Sequence, residues 1–256
     1  MIKEGDTVQL KGKKSSFFVK IEKDKVFSTH KGNIDLNQLI GKEYGSIIKS
    51  HLGEEFIVLK PSLFDIIMYG IKRQTQIIYP KDSAFITLKL GITDGMKVLE
   101  SGVGSAALTI VMANAVKPAG KIIAYEKEEK YIDQAYKNLK LANLEKYVEI
   151  KHHDLSSEIL EKDFDAAFID VREPWLYLDN IKKALKVGAN IGFLVPTTNQ
   201  IINLLTELHK HNFINIEVIE LLERHYKPVP DRLRPTDRMV AHTGYLIFAK
   251  KGLESQ

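Results

Sequence analysis

The stretch from Lys97 to Glu126 limits most strongly what this chain can fold into. Lys97 to Glu100 is a short apolar run that ends in an acid, and Ser101-Gly102-Val103-Gly104-Ser105 follows it with two glycines one residue apart. Small and apolar residues from Ala106 to Val116 favour a helix, and Lys121 to Glu126 is a second apolar run that ends in an acid. The order predicts a strand, a tight turn, a helix and a second strand.

The glycine turn is typical of a nucleotide pocket. Glycines let the backbone turn sharply against a ligand, the helix start offers free N–H groups, and an acid on the second strand can accept hydrogen bonds from ribose hydroxyls. A G-x-G pair alone is a weak signal, and Ala106 and Ala107 stand where the third glycine of the dinucleotide pattern is expected. A glycine turn in an unrelated α/β protein stays an alternative.

Composition excludes several kinds of site. The 256 residues contain no cysteine, so disulfides, thiolate–zinc sites and a cysteine nucleophile are excluded. No apolar run approaches the ~20 residues that span a membrane, and the first residues lack a signal-peptide core, so a cytoplasmic protein is expected.

The positive charge is concentrated at the N-terminus. Residues 1–60 hold eleven Lys against eight acids, which gives +3 of the total net charge of +4. This excess suits either an RNA backbone or a solvated lysine face.

The chain divides into three predicted parts. Residues 1–60 predict a small β domain, with glycine turns between strands at Thr7–Leu10, Ser16–Ile21, Lys25–Ser28 and Glu55–Leu59. Residues 61–90 read as a helical connector that ends in a helix from Ser83 to Leu90. Residues 91–256 alternate strands and helices, which predicts a mostly parallel sheet covered by helices on both faces. The last two strands are joined by a loop, Arg224 to His242, so this end of the sheet is expected to be antiparallel.

Acids end four of the strands in the predicted parallel sheet. They are Glu100, Glu126, Asp154 and Asp170. Ligands bind outside the carboxyl ends of such strands, and these acids suit a ligand with an amine, a ribose and an exocyclic adenine nitrogen, as in S-adenosylmethionine. Glu100 would repel the pyrophosphate of a dinucleotide, which disfavours a nicotinamide oxidoreductase without excluding it.

Two further features leave alternatives open. Tyr79 precedes Pro80, which restricts it to extended conformations, and it can either line a pocket or pack in the core. His152 and His153 adjoin Asp154, but neighbouring residues on a strand point to opposite faces, so no metal site is expected.

Four segments resemble the tRNA (adenine-N1)-methyltransferases of the TrmI type, especially archaeal ones. The segments are Gln76 to Asp82, Glu100 to Thr109, Arg234-Pro235, and His242 to Leu246. The resemblance implies a class I S-adenosylmethionine-dependent methyltransferase fold, which is Rossmann-like, behind the small N-terminal β domain. It also implies a homotetramer that methylates N1 of adenine 58 in the tRNA T-loop, and adenine 57 in some archaea. Ala106 stands where the family usually has glycine, and Asp170-Val171-Arg172 where it often has Asp-Leu-Pro.

The resemblance also implies the roles of individual residues. Glu126 is expected on the ribose, Asp154 near the adenine amine, and Tyr131 beside the same pocket. Asp170 is expected to accept a hydrogen bond from the exocyclic amine of the target adenine, and Tyr79 to stack on that base. The predicted catalytic residues are therefore Asp170 and Tyr79. The predicted cofactor-binding residues are Glu100, Gly102, Val103, Gly104, Ser105, Ala106, Ala107, Glu126, Tyr131, Asp154 and Asp170. A non-catalytic tRNA-binding subunit and a methyltransferase for another substrate, such as protein carboxylates, stay alternatives.

Overall fold

The computed structural model describes residues 1–253. Its two larger sheets have four and seven strands, and two further sheets are two-stranded. No helix within residues 1–253 is long and apolar enough to cross a membrane.

The N-terminal sheet is antiparallel. Its chain segment contains the strands β1 (Thr7–Lys11), β2 (Ser16–Lys20), β3 (Val26–Thr29), β4 (Gly32–Asp35), β5 (Ile47–Lys49) and β6 (Glu55–Leu59). The four-stranded sheet has the order β2-β1-β6-β5, and β3 pairs with β4 as a separate hairpin. The buried side chains here form an apolar cluster of their own, which includes Leu10, Ile34 and Phe56. The strands β1, β2, β3 and β6 were predicted from the sequence, but β4 and β5, of four and three residues, were not.

The connector contains two helical pieces and an irregular segment. Helix α1 (Leu63–Asp65) continues as a π-helix, Ile66–Gly70, and α2 spans Pro80–Lys89. The sequence predicted the start of α2 at Ser83, which was wrong. Pro80 occupies the first helical turn, where its missing N–H costs nothing, and Tyr79 before it is extended as expected.

The seven-stranded sheet is built from the second part of the chain. In order, its elements are β7 (Lys97–Ser101), α3 (Ala107–Val116), β8 (Lys121–Glu126), α4 (Glu129–Leu141), β9 (Val148–His152), β10 (Phe164–Ile169), α5 (Leu178–Ala184), β11 (Leu185–Val195), α6 (Thr198–Lys210), β12 (Phe213–Ile219), β13 (Tyr226–Lys227), β14 (Arg234–Pro235) and β15 (Tyr245–Lys251). The short pair β13–β14 stands apart from the sheet.

The strand order of the large sheet fixes where a ligand can bind. The order is β12-β15-β11-β10-β7-β8-β9, with parallel pairing from β11 to β9 and antiparallel pairing of β15 with β11 and β12. The predicted antiparallel end is therefore confirmed. The chain leaves β7 towards β8 and β9, then returns to the other side of β7 with β10. This reversal opens a crevice at the carboxyl ends of β7 and β10.

Each face of the large sheet has its own apolar cluster. One cluster gathers α2, α3 and α4 and includes Ile86, Ile110 and Leu139, and the other gathers α5 and α6 and includes Ile181 and Leu204. Helices therefore cover both faces, as the alternating pattern predicted. The connector contributes to the first cluster, so its helices pack as part of the large sheet's core.

A polar network joins α2 to the segment just before the C-terminal strand. The ammonium of Lys81 donates to both carboxylate oxygens of Asp82 at 2.8 and 2.9 Å, and to the Thr243 hydroxyl at 2.7 Å. That hydroxyl donates to Asp82 at 3.0 Å, and Asp82 is buried. Two of the four segments that carry the family resemblance, Gln76 to Asp82 and His242 to Leu246, thus meet in space.

Candidate functional site

The glycine turn and Asp170 lie side by side at the crevice. Because β7 and β10 are parallel neighbours, the Asp170 N–H donates to the Ser101 carbonyl at 2.8 Å. On the other side of β7, the Gly102 N–H donates to the Tyr125 carbonyl of β8 at 3.0 Å. Gly102 has φ +89°, and a Cβ there would lie 2.0 Å from the Asp170 carbonyl oxygen. Only glycine fits this position, on both conformational and steric grounds.

A first cavity of about 220 Å³ opens above the turn. Most of the predicted cofactor-binding residues line it. They are Glu100, Gly102, Val103, Gly104, Ser105, Ala107, Glu126, Tyr131 and Asp170. The opposite wall comes from the connector, as Thr75, Gln76, Ile77 and Ile78.

Glu126 holds the glycine turn from the neighbouring strand. One of its carboxylate oxygens accepts a hydrogen bond from the Gly104 N–H at 3.0 Å, and the other accepts from the Glu128 N–H at 2.9 Å. The side chain is buried yet borders the cavity. A carboxylate oxygen has a second lone pair, so Glu126 can shape the turn and still accept a hydroxyl from a ligand.

Glu100 places an unsatisfied acid at the floor of the first cavity. Its Oε1 accepts a hydrogen bond from the Thr109 hydroxyl at 3.0 Å, whereas its buried Oε2 has no partner among residues 1–253. Burial, together with the nearby Asp170 and Glu126, raises the pKa of Glu100 to about 8 despite the Thr109 hydrogen bond. A cationic group that enters the cavity would favour the ionised form of this acid and could pair with its free oxygen.

We expect Glu100→Gln to stabilise the ligand-free protein at high pH. An unfolded glutamate ionises near 4.5, but in the folded protein Glu100 keeps its proton up to about 8, so folding stability decreases as pH rises through this interval. Without the buried charge, the variant should melt about 3–8 °C higher than wild type at high pH, since an unpaired buried charge costs at least ~1–3 kcal/mol. Scanning calorimetry with no ligand measures this. A melting difference that is equal in acid and in alkali contradicts it.

A second cavity of about 320 Å³ continues along the strand ends. It shares Gly102, Glu126 and Asp170 with the first cavity, and Asp154 lines it. Asp154 accepts hydrogen bonds from Lys127 at 2.7 Å and from the Ser156 N–H at 2.9 Å, which lower its pKa to about 2. The four predicted acids therefore meet along one continuous edge, although Asp154 is paired with a lysine.

Asp170 borders both cavities. Burial, and secondarily the negative charge of Glu126, raises the pKa of its carboxyl to about 7. Its charge is therefore sensitive to pH and to hydrogen-bond donors that enter either cavity.

Ala106 adopts a conformation that glycine would favour. Its φ is +61° and ψ +26°, and it is fully buried at the start of α3, behind the residues that line the cavity. Its N–H donates to the Val103 carbonyl at 2.8 Å, which closes the turn. The alanine therefore keeps the turn geometry, at a backbone cost of about 1–2 kcal/mol.

Tyr79 lies in a third cavity rather than beside Asp170. This cavity of about 280 Å³ lies between the connector and the Arg224–His242 loop, and its aromatic walls are Phe64, Tyr69 and Tyr79. The Tyr79 hydroxyl accepts a hydrogen bond from the Gln76 side chain at 3.3 Å, and Gln76 lines the first cavity. The two predicted catalytic residues thus line different cavities, and Gln76, which contacts Tyr79, lines the cavity that Asp170 borders.

The adjacent histidines do not act together. The His152 ring lies 2.9 Å from the Lys127 carbonyl, whereas His153 packs against Tyr125 with ring centroids 4.6 Å apart. Within residues 1–253, no cluster of three metal-ligating side chains occurs.

Two family descriptions match the chain, and together they cover most of it. Residues 56–230 match the family described as tRNA methyltransferase complex GCD14 subunit, and residues 1–48 match TrmI-like N-terminal. The chain belongs to the TrmI family of tRNA methyltransferases. The predicted family is thereby confirmed, together with its class I fold behind an N-terminal β region.

Relatives and solved structures agree with the TrmI family. The chain is 33% identical to the TrmI tRNA (adenine(57)-N(1)/adenine(58)-N(1))-methyltransferase of Methanocaldococcus jannaschii, over 95% of this chain and 93% of that protein. It is 30% identical to the TrmI tRNA (adenine(58)-N(1))-methyltransferase of Thermus thermophilus, over 88% and 89%. The solved TrmI of Aquifex aeolicus is 42% identical with a TM-score of 0.79 and covers 99% of both chains. A Thermotoga maritima structure titled as a SAM-dependent O-methyltransferase is 47% identical with a TM-score of 0.86, over 100% and 96%.

The connector wall of the site was not predicted from the sequence. The predicted residues lie at strand ends and in the glycine turn, whereas Thr75 and Gln76 line the first cavity from an irregular segment. Gln76 lies within one of the segments that resemble the family, so a signal for it was present. Asn138, which holds the connector through hydrogen bonds to Lys72, carried no such signal, because it is one polar residue inside an amphipathic helix.

Proposed function

We propose that this protein transfers the methyl group of S-adenosylmethionine to N1 of adenine 58 in the tRNA T-loop. The observation that carries the proposal is the meeting of Glu100, Glu126 and Asp170 with the glycine turn around one cavity, in a chain of the TrmI family. Adenine 57 is a second candidate target, since the Methanocaldococcus relative is named for both positions.

The first two cavities suit the methyl donor. Glu100 has an unpartnered buried oxygen for the cationic aminoacyl end, and Glu126 faces the cavity where ribose hydroxyls would lie. Asp154 and the second cavity would take the adenine, and Tyr131 would flank the pocket. The backbone from Gly102 to Ala107 forms the cradle. S-adenosylmethionine, when bound, supplies an electrophilic methyl group on a sulfonium.

Asp170 is the proposed catalytic residue. The target adenine must leave the T-loop stack, which costs a few kcal/mol, and the pocket offsets this cost with stacking and hydrogen bonds. The Asp170 carboxylate would accept a hydrogen bond from the exocyclic amine, orient N1 and stabilise the positive charge that forms on the methylated base. N1 has its own lone pair, so the protein contributes placement and electrostatics.

Tyr79 is proposed to contact the RNA from the third cavity. Its aromatic walls offer stacking surfaces, and Arg238 in the same lining offers a cation for phosphates. Its hydroxyl, bonded to Gln76, would link this contact to the donor cavity.

The partners and organisation follow the family. We propose a homotetramer, and the exposed apolar side chains of Leu222, Tyr226, Leu233 and Val240 suit contact between copies. A light-scattering mass of four chains is expected, and a monomer contradicts it.

We propose that the chain divides into three parts. They are a β domain with its own core at residues 1–60, a connector at residues 61–90 and the catalytic domain at residues 91–256. We propose a cytoplasmic location, where tRNA is available.

Methyl transfer to unmodified tRNA tests the proposal. With labelled S-adenosylmethionine, we expect the label in a tRNA transcript and none in a transcript whose adenines 57 and 58 are replaced. The same assay separates the alternatives. A non-catalytic subunit binds tRNA without transfer, and an O-methyltransferase, as one structural neighbour is titled, leaves both transcripts unlabelled.

A further inference from the structure

Asn138 joins three parts of the site from inside α4. Its side-chain amide donates to the Lys72 carbonyl at 2.9 Å and to the Ser105 carbonyl at 3.0 Å. Its Oδ1 accepts hydrogen bonds from the Lys72 N–H and from Gln134, both at 3.0 Å. The residue is 2% exposed and has every hydrogen-bonding group engaged. It therefore fixes the connector to the glycine turn.

Ser105 completes the attachment from the turn itself. Its hydroxyl oxygen accepts hydrogen bonds from the Gln74 N–H at 3.0 Å and from the Thr75 N–H at 3.2 Å. Three backbone donors of the connector, at Lys72, Gln74 and Thr75, thus end on two side chains rather than on a sheet or helix. The conformation of this irregular segment depends on these two residues.

The attached segment forms one wall of the first cavity. Thr75 and Gln76 line that cavity, and the Thr75 hydroxyl lies 2.6 Å from the position of a Cβ on Gly104. A small displacement of the connector would change the width of the cavity directly above the turn. The same segment leads through Gln76 to Tyr79.

We infer that Asn138 is a positioning residue for the methyl donor: with Ser105 it clamps residues 72–76 against the glycine turn and sets the cavity width. Asn138 touches no ligand in this role and acts through the connector. The inference rests on the proposed function for the identity of the ligand. It assigns to one buried amide the coupling between the donor cavity and the tyrosine side of the site.

Two variants separate the halves of the clamp. In Asn138→Ala, amide exchange at Lys72 should accelerate about tenfold or more, whereas in Ser105→Ala the acceleration should occur at Gln74 and Thr75. Both variants should raise the Kd for S-adenosylmethionine about tenfold. Without the clamp, residues 72–76 are no longer held in place, so donor binding must also supply the free energy that orders this wall of the cavity. Exchange is followed by NMR or mass spectrometry, and Kd by calorimetry, well below each melting temperature.

Asn190→Ala is the matched control. Asn190 lies on β11 and likewise joins two elements through its side-chain amide, which donates to the Leu90 carbonyl at the end of α2 at 3.0 Å, but it lies away from both donor cavities. It should lower the melting temperature without changing donor affinity. Donor affinity within twofold of wild type in both clamp variants, or unchanged connector exchange, overturns the inference. If wild-type protein itself binds no S-adenosylmethionine, the proposed function fails instead, and amide exchange alone decides whether the clamp exists.

Discussion

Asp170→Ala should lower the methyl-transfer kcat about 10²–10³-fold while the Kd for S-adenosylmethionine changes less than about threefold. The carboxylate is the group proposed to orient the adenine amine and to stabilise charge that appears only as the methyl transfers, so its loss acts on the transition state. Donor binding depends mainly on Glu100, Glu126 and the turn. Single-turnover transfer to tRNA, with donor titration by calorimetry, measures the two effects separately.

Asp170→Asn is the control, and pH supplies a second readout. The amide keeps the shape and one acceptor oxygen, so it should lose about tenfold less activity than alanine does. Burial raises the pKa of Asp170 to about 7, so the ionised fraction, and with it the wild-type rate, should rise as pH increases through neutrality. The asparagine variant should lack this rise. Full activity in Asp170→Ala, with donor still bound, would exclude the proposed role.

Gly102→Ala should raise the Kd for S-adenosylmethionine more than about 100-fold. The new Cβ would lie 2.0 Å from the Asp170 carbonyl oxygen, and the backbone has φ +89°, so both the turn and the end of β10 must move. A loss of ~2–4 kcal/mol in folding stability should accompany the change. Donor titration and thermal unfolding of the same preparation measure both.

Gly95→Ala isolates the backbone strain. Gly95 has φ +81°, close to that of Gly102, but a Cβ there meets no atom within 4 Å. This control should lose only ~1 kcal/mol and bind donor normally. If Gly102→Ala binds S-adenosylmethionine as tightly as Gly95→Ala does, the close approach of the turn to Asp170 does not contribute to donor affinity.

The strand ends were predictable because their signals are local. Apolar runs that end in acids identified β7, β8 and β10, and the parallel order of such strands brings Glu100, Glu126 and Asp170 to one edge. Strands that alternate with helices along the chain imply a parallel sheet, and a parallel sheet brings these acids to one cavity at its carboxyl edge. The protonation of Glu100 was not predictable, because it depends on how deeply the floor of the cavity is buried.

The connector and Tyr79 were harder to predict because their positions depend on contacts far along the chain. Tyr79 was correctly expected to be extended, but its ring faces a cavity closed by residues about 160 positions later, such as Met239 and Val240. The π-helix Ile66–Gly70 and the attachment of the connector to Asn138 likewise arise from packing rather than from local propensity. Residues on irregular segments are held by partners that a single sequence does not identify.

Reverse transcription of tRNA after incubation with the protein and S-adenosylmethionine tests the central proposal most directly. A methyl group on N1 blocks Watson–Crick pairing, so we expect a stop at adenine 58, with a second stop at adenine 57 if both are targets. The stop should require the donor and should be far weaker with Asp170→Ala than with wild type after the same short incubation. The proposal would be contradicted if reverse transcriptase read through the T-loop of tRNA treated with wild-type protein that had been shown to bind S-adenosylmethionine.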